Sequence, residues 1–303
     1  MLIRKVDASD MTAQYIELNI KDQYVGRGNS GIIQGSLREY FSGDMFRLKN
    51  HLYGSCVYLG KKVTLAGCIR AQIRDIILDG VQVKSGVVSQ NTRLVFRSES
   101  AKYFIFIQIS KEMMEFDENG DVYYEKGTQG FLPELFDRWK RLGTNHVVSV
   151  VLFARLIYRE RPVAAAADDQ DDVFFWHPAK AYCKDAYRVI IDWETRPDWR
   201  LVLTNIQEEI LKFKAELHAV RNARIAFAFE GNLLESINLA VNIFDKHYVD
   251  RDLLRTGLSV VIVTAGVGYF MADKQLLFLT EERMVEDGIG LDIGATYYTI
   301  PFQ

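Results

Sequence analysis

Cysteine is scarce in this chain. Cys56, Cys68 and Cys183 are an odd number of thiols, far apart, with no Cys-x-x-Cys pair. A disulfide framework and a thiolate zinc ribbon are both excluded, and the three read as reduced, small hydrophobes. A basic excess is also missing: 37 Lys and Arg stand against 40 Asp and Glu, a net charge of -3. Proteins that grip phosphate backbones carry a basic excess or stripe. Short runs such as Arg138-Trp139-Lys140-Arg141 suit the solvated faces of ordinary elements, so no nucleic acid is expected as a partner. No apolar run approaches the roughly 20 residues of a membrane-spanning helix. The densest, Leu258 to Val263, has the length of a buried strand. Met1 to Asp7 lack the apolar core of a secretory signal. Catalytic signatures are absent too. There is no G-x-x-x-x-G-K-[ST], no H-E-x-x-H and no G-x-S-x-G, and His51, His146, His177, His218 and His247 are scattered.

What is present is ordinary globular sequence: 303 residues, 49% hydrophobic and 25% charged. That length favours about two domains with real cores. Residues 1–100 read as β-rich. Tyr15 to Ile20 and Gly54 to Leu59 alternate with period two, and further strands are expected at Val63 to Ala66, Ile69 to Ile73 and Val81 to Val83. Glycines 35, 43, 60, 80 and 86 punctuate them, which predicts a small sandwich or barrel. One helix is expected over Asp44 to Leu52.

Residues 101–303 change pattern. Near-continuous apolar runs, Tyr103 to Ile109 and Val147 to Phe153, suit strands buried on both faces. Tyr187 to Ile191, Leu258 to Thr264 and Ile289 to Ile293 continue the series. Asp121 to Glu125 reads as a short extra strand. Helical spacing marks Phe131 to Leu142, Trp199 to Leu217, Leu233 to His247 and Lys274 to Asp287. Residues 164–172, four alanines and an acidic run, read as a mobile surface loop. The fold class expected is α+β followed by α/β, with a mostly parallel sheet covered by helices on both faces.

Three places invite a chemical reading. Gly26-Arg27-Gly28-Asn29-Ser30-Gly31 matches a dinucleotide fingerprint, but that chemistry needs a strand before it and a helix after it. Ile32-Ile33-Gln34-Gly35 is a poor helix start, so a glycine-rich turn fits better. Next, the strand–helix order of the second half resembles a von Willebrand factor A-like domain. That family binds a metal through D-x-S-x-S after its first strand and T-D-G after a later one. Here those places hold Gln108-Ile109-Ser110-Lys111-Glu112 and Thr264-Ala265-Gly266. A hard cation wants carboxylates; with Gln108 and Ala265 in place of aspartates and Lys111 nearby, no metal and no cofactor are expected. Last, Asp245 to Gly257 is dense in polar and aromatic residues between a helix and a buried strand. His247 with Asp245 or Asp250 offers acid and base, yet no nucleophile stands beside them. Helix capping and salt bridging would explain the stretch. So would docking, since Arg and Tyr are enriched at binding hot spots; Asp245, His247, Tyr248, Arg251 and Arg255 are the partner-binding candidates.

At that stretch the sequence resembles a known family. Ile237-Asn238-Leu239-Ala240-Val241-Asn242-Ile243-Phe244-Asp245-Lys246-His247-Tyr248, then Asp250-Arg251-Asp252-Leu253-Leu254-Arg255-Thr256-Gly257, then Asp287-Gly288-Ile289-Gly290-Leu291-Asp292 look like the vacuolar membrane-associated, DEP-domain-containing subunit of the SEA inhibitory complex, called GATOR in animals. Asp44 to Leu48, Phe116 to Asp121 and His146 to Arg155 agree. The likeness covers most of residues 15–293. The resemblance implies a non-catalytic scaffold. Its partners would be two nitrogen-permease-regulator-like subunits and, through the full complex, Rag-type GTPases, whose GTP hydrolysis the complex stimulates. TOR signalling at the vacuole or lysosome would be restrained when amino acids are scarce. The catalytic arginine of such complexes is attributed to a partner subunit, so no arginine here inherits that role. No DEP domain follows, which predicts an N-terminal piece of a longer protein. A nucleotide-binding or metal-dependent ligand-binding module is the alternative.

Overall fold

The computed structural model describes residues 12–23, 44–65, 69–117, 120–158, 175–177, 181–246, 253–266 and 268–295. The segment 26–31, the acidic run 164–172 and Cys68 lie outside these residues. Contacts fall into two units. One is Met1–Ala101 with Lys246–Gly257, and the other is Lys102–Asp245 with Leu258–Gln303.

In the first unit, β1 (Tyr15–Gln23) lies between β4 (Ile69–Leu78), antiparallel, and β7 (Arg93–Arg97), parallel. Strands β3 (Lys62–Leu65) and β5 (Val81–Gln82) both pair antiparallel with β4. A separate ladder joins β2 (Cys56–Tyr58) to β6 (Ser85–Val87). The alternation of Ile16, Leu18 and Ile20 on β1 and of Ile69, Ala71 and Ile73 on β4 sends these side chains into one core. Helix α1 (Asp44–Leu52) adds Leu48 and Leu52 to it. Leu253, far along the chain, is fully buried in the same core.

The second unit is built on a seven-stranded sheet in the order β10-β11-β9-β8-β13-β14, with β12 also paired to β9. β8 (Ala101–Gln108) is parallel to β9 (Val147–Tyr158), and β13 (Gly257–Thr264) to β14 (Ile289–Ala295). The two pairs run the same way. A Cβ on Gly257 would lie 2.9 Å from Cβ of Ala101, so the starts of β8 and β13 adjoin. At their ends the Thr264 hydroxyl reaches the Gln108 carboxamide at 2.5 Å. This is the parallel core that alternating apolar runs and helices predict. It gains antiparallel pairings with β9 whose direction those runs did not announce: β11 (Ala181–Glu194), foreseen only at Tyr187 to Ile191 and extended by β10 (Phe175–His177), and the unforeseen β12 (Ala223–Ile225).

Period two sorts the core strands between two faces. Ile105, Ile107, Val150, Leu152, Val261 and Val263 pack beneath α2 (Leu132–Leu142) and α3 (Leu203–Ala219). Phe104, Phe106, Val151, Phe153, Val260 and Ile262 pack beneath α4 (Leu233–Lys246). Leu132, Phe136 and Trp139 of α2 are buried, and Gly143 closes that helix in a left-handed conformation, φ 65°. A fifth helix, α5 (Lys274–Asp287), starts at Asp273, whose carboxylate accepts from Leu276 N, and ends at the left-handed Gly288. One expectation fails. Asp121 to Glu125 is not a strand: Val122 makes a single bridge to Phe116, and Tyr123–Glu125 then turns helical and runs through a π-helical segment, Lys126–Phe131, into α2. Burial of Tyr123 against the core under α2 outweighs the β preference of its neighbours. Cys183 is buried in β11, and burial pushes its thiol up to about 11, while Cys56 is exposed.

Candidate partner-binding site

The C-terminal end of a parallel sheet is where α/β folds place their ligands, and the metal position of a von Willebrand factor A-like domain falls there. Here that end is closed by hydrogen bonds. Gln108, Ser110 and Thr264 are all buried. Nε2 of Gln108 donates to the carbonyl of Ala228 at 3.0 Å, and its Oε1 accepts from the Thr264 hydroxyl. Thr264 Oγ1 accepts in turn from Gly266 N at 3.0 Å, and Ser110 Oγ from Met113 N at 3.3 Å. Glu112 accepts from Ala228 N at 2.9 Å. The relay clamps the turn Ala228–Glu230, just before α4, onto the ends of β8 and β13.

Such a donor set does not fit a divalent ion. A neutral carboxamide replaces a carboxylate, its oxygen is already engaged, the Glu112 carboxylate is spent on a backbone N–H, and Glu230 is paired with Arg224. Among the described residues no group of three or more His, Cys, Asp or Glu side chains is arranged to hold a metal. Lys111 extends over the Phe227 ring, 4.9 Å from its centroid, and Arg224 stacks on the same ring at 5.4 Å while pairing with Glu230 at 2.8 Å. Gly231 leaves the room this closure needs, because a Cβ there would lie 2.2 Å from Gln108 Nε2.

Beside the closed end sits a buried ion cluster. Arg155 on β9, only 4% exposed at its side chain, forms a bidentate pair with Asp185 on β11, at 2.7 and 2.9 Å. It also reaches Glu235 on α4 at 2.9 Å. Burial lowers the guanidinium pKa, but hydrogen bonds and charge from Asp185 and Glu235 overcome that and raise it, so Arg155 stays charged. The cluster ties the antiparallel flank to α4. An open groove of about 750 Å³ on α2 is lined by Pro133, Glu134, Asp137, Lys140 and Arg200 among others. Three of its charges are paired: Lys140 with Asp198 at 2.5 Å, and Arg200 with Asp198 at 3.0 Å and Asp137 at 3.3 Å. Hydrogen bonds from Arg200 and Lys140 hold the Asp198 carboxyl well below the usual carboxylate range.

The docking candidates separate. Asp245 stands in the last turn of α4. His247, Tyr248 and Arg251 lie outside the described residues. Arg255 follows Leu253 and Leu254, which pack into the core of the first unit. Next to it Thr256 N donates to Ser98 Oγ at 2.8 Å. The end of the stretch is therefore anchored by packing. The Ala228 turn, Gly231 and the Arg155 cluster were not foreseen from sequence. A glycine followed by a small amide residue before α4 was the one local signal.

Together the folds define a class: a small β-rich domain and a von Willebrand factor A-like domain whose ion position is sealed by side chains. Residues 100–296 match the family model described as the vWA-like domain of vacuolar membrane-associated protein Iml1, and residues 16–98 match the IML1 small domain. The chain belongs to the Iml1 family. It is 38% identical over 285 residues to a DEP domain-containing protein of Dictyostelium discoideum, covering 92% of this chain and 12% of that protein. It is 35% identical over 302 residues to the GATOR complex protein Iml1 of Drosophila melanogaster, covering 97% and 19%. Against the vacuolar membrane-associated protein iml1 of Schizosaccharomyces pombe it is 32% identical over 324 residues, covering 95% and 20%. The chain thus spans 12% to 20% of the length of these relatives. Among the described residues no helix is long and apolar enough to cross a membrane.

Proposed function

We propose that this chain is a non-catalytic scaffold of a GATOR-type complex, in which it holds nitrogen-permease-regulator-like subunits. The assembled complex stimulates GTP hydrolysis by Rag-type GTPases and so restrains TOR signalling when amino acids are scarce. It works at the vacuolar or lysosomal membrane, to which this chain is held peripherally. Residues 101–303 form the partner-binding domain, and residues 1–100 form the small domain. The observation that carries this reading is membership of the Iml1 family, which includes a GATOR complex protein and vacuolar membrane-associated proteins by name. The chemistry of the sheet end supports it: Gln108, Glu112 and Thr264, at the position where relatives of the fold hold an ion, are committed to hydrogen bonds within the chain.

The test is co-elution of the purified chain with the purified regulator-like heterodimer on size exclusion. A stable complex is expected; separate peaks from a well-folded chain would move assembly to other parts of the longer relatives. Asp245, His247, Tyr248, Arg251 and Arg255 are the first positions to vary. His247→Ala and Arg251→Ala should weaken the complex without lowering the melting temperature, whereas a parallel loss of both would make the stretch structural.

A further inference from the structure

Helix α5 exposes most of its large apolar side chains. Of its side chains only Thr280 is buried. Thr280 accepts from Asn238 Nδ2 of α4 at 2.6 Å and donates to the Leu276 carbonyl, so α5 meets α4 through polar atoms. Met284 packs, partly buried, against the core under α4, but most of the other large apolar side chains are exposed. Leu277 is 49% exposed, Phe278 59% and Val285 76%. At about 100° per residue, Phe278, Glu281 and Val285 lie about 100° to 160° round the helix from Thr280, and Leu277 flanks them at about 60°.

The neighbouring strand repeats the pattern. Among the described residues β14 ends the sheet order, with β13 on its inner side. Leu291 and Ile293 are in register with Val260 and Ile262, which pack beneath α4. They therefore face the side of the sheet that carries α4, yet remain 37% and 44% exposed. Monomeric proteins seldom expose apolar side chains in such clusters, and patches of this kind mark interfaces.

The charge around this surface is mostly negative, with Lys274 lying over the Phe278 ring at 5.9 Å. Residues 273–292 carry six Asp and Glu against two Lys and Arg. Glu281, Glu282 and Glu286 join no ion pair among the described residues. An apolar stripe edged by unpaired carboxylates complements apolar side chains flanked by lysine and arginine.

We infer that α5 and the edge strand β14 form a docking face for a partner protein segment with an apolar stripe flanked by basic residues. This deepens the scaffold reading and rests on it. The test measures affinity between the full-length protein and the purified regulator-like heterodimer. One variant carries Leu277→Ser, Phe278→Ser and Val285→Ser; the other carries Glu281→Lys, Glu282→Lys and Glu286→Lys. The first should weaken binding about 100-fold. The second should weaken it about 10-fold and flatten its dependence on salt. Both should melt with the parent. If the parent binds and both variants bind equally well, the docking face is refuted while the scaffold reading stands. If the parent does not bind, both fall. Light scattering that shows the parent as a dimer dispersed by the serine variant would assign the face to a second copy and overturn the inference. A large fall in melting temperature for the serine variant, with unchanged affinity in the charge variant, would overturn it as well.

Discussion

Helices α4 and α5 are each 14 residues long and are linked by the hydrogen bond between Asn238 and Thr280. They use their apolar residues in opposite ways. α4 sends Leu233, Leu234, Ile237, Ala240, Val241 and Phe244 inward, each under 10% exposed. α5 sends Leu277, Phe278, Leu279 and Val285 outward and buries a threonine. A helix gains its stability in a protein from the face it buries, so α4 is held by the chain's own core. α5 holds its bounds with caps at Asp273 and Gly288, packs Met284 partly against that core and leaves most of its apolar surface exposed. The difference separates residues that make the fold from residues offered to a partner, a distinction that hydrophobicity alone cannot draw.

The sharpest way to break this contrast is to truncate one phenylalanine on each helix. Phe244 packs edge-on against Phe104 and Trp193, with ring centroids at 5.2 and 6.1 Å. Phe244→Ala should cost about 3–5 kcal/mol in urea unfolding, and Phe278→Ala no more than about 0.5 kcal/mol. Similar losses would make α5 a core helix. The anchoring of α4 to the antiparallel flank depends on Arg155. Arg155→Ala strands Asp185 and Glu235 and should cost about 3–5 kcal/mol, whereas Arg200→Ala on the solvated groove should leave the unfolding midpoint unmoved. A smaller effect is expected at the closed sheet end. Gly231→Ala drives a methyl into the Gln108 carboxamide, whose hydrogen bonds must break, at about 1–3 kcal/mol; addition of magnesium should not restore the loss. Smallest is the acid limb of stability. Asp198 has a folded pKa below its unfolded value, so its contribution is present above the ordinary carboxylate range and fades as pH falls toward the folded value. Asp198→Asn should flatten that part of the pH profile, and an unchanged profile would mean that its ion pairs carry no weight in solution.

Much of the fold was legible because local signals and tertiary needs agree. The bounds of α1 and α5 coincide with the periodic segments Asp44 to Leu52 and Lys274 to Asp287, and both core strands β8 and β9 announce themselves as apolar runs. β11 was seen only as Tyr187 to Ile191. Its pairing with β9 shifts register between Val189 and Ile191 and again before Glu194, and Trp193 adopts φ 47°. Those bulges break the alternation that reveals a strand. Asp121 to Glu125 failed for the opposite reason: branched and aromatic residues suggested β pairing, but the core claimed Tyr123. At the site, loss of the two expected aspartates was readable at Gln108 and Ala265. The closure that replaces them was not, because Gln108 meets Ala228 and Thr264 across 120 and 156 residues. The outward turn of α5 was equally hidden, since a run such as Leu276-Leu277-Phe278-Leu279 does not say which of its sides the fold will cover.

Hydrogen–deuterium exchange on the full-length protein, alone and bound to the regulator-like heterodimer, tests the central contrast most directly. Amides of α4 should be protected in both states, and those of α5 and β14 should slow at least about 10-fold only in the complex. Unchanged exchange at α5 and β14 in a complex that is demonstrably formed would contradict the account.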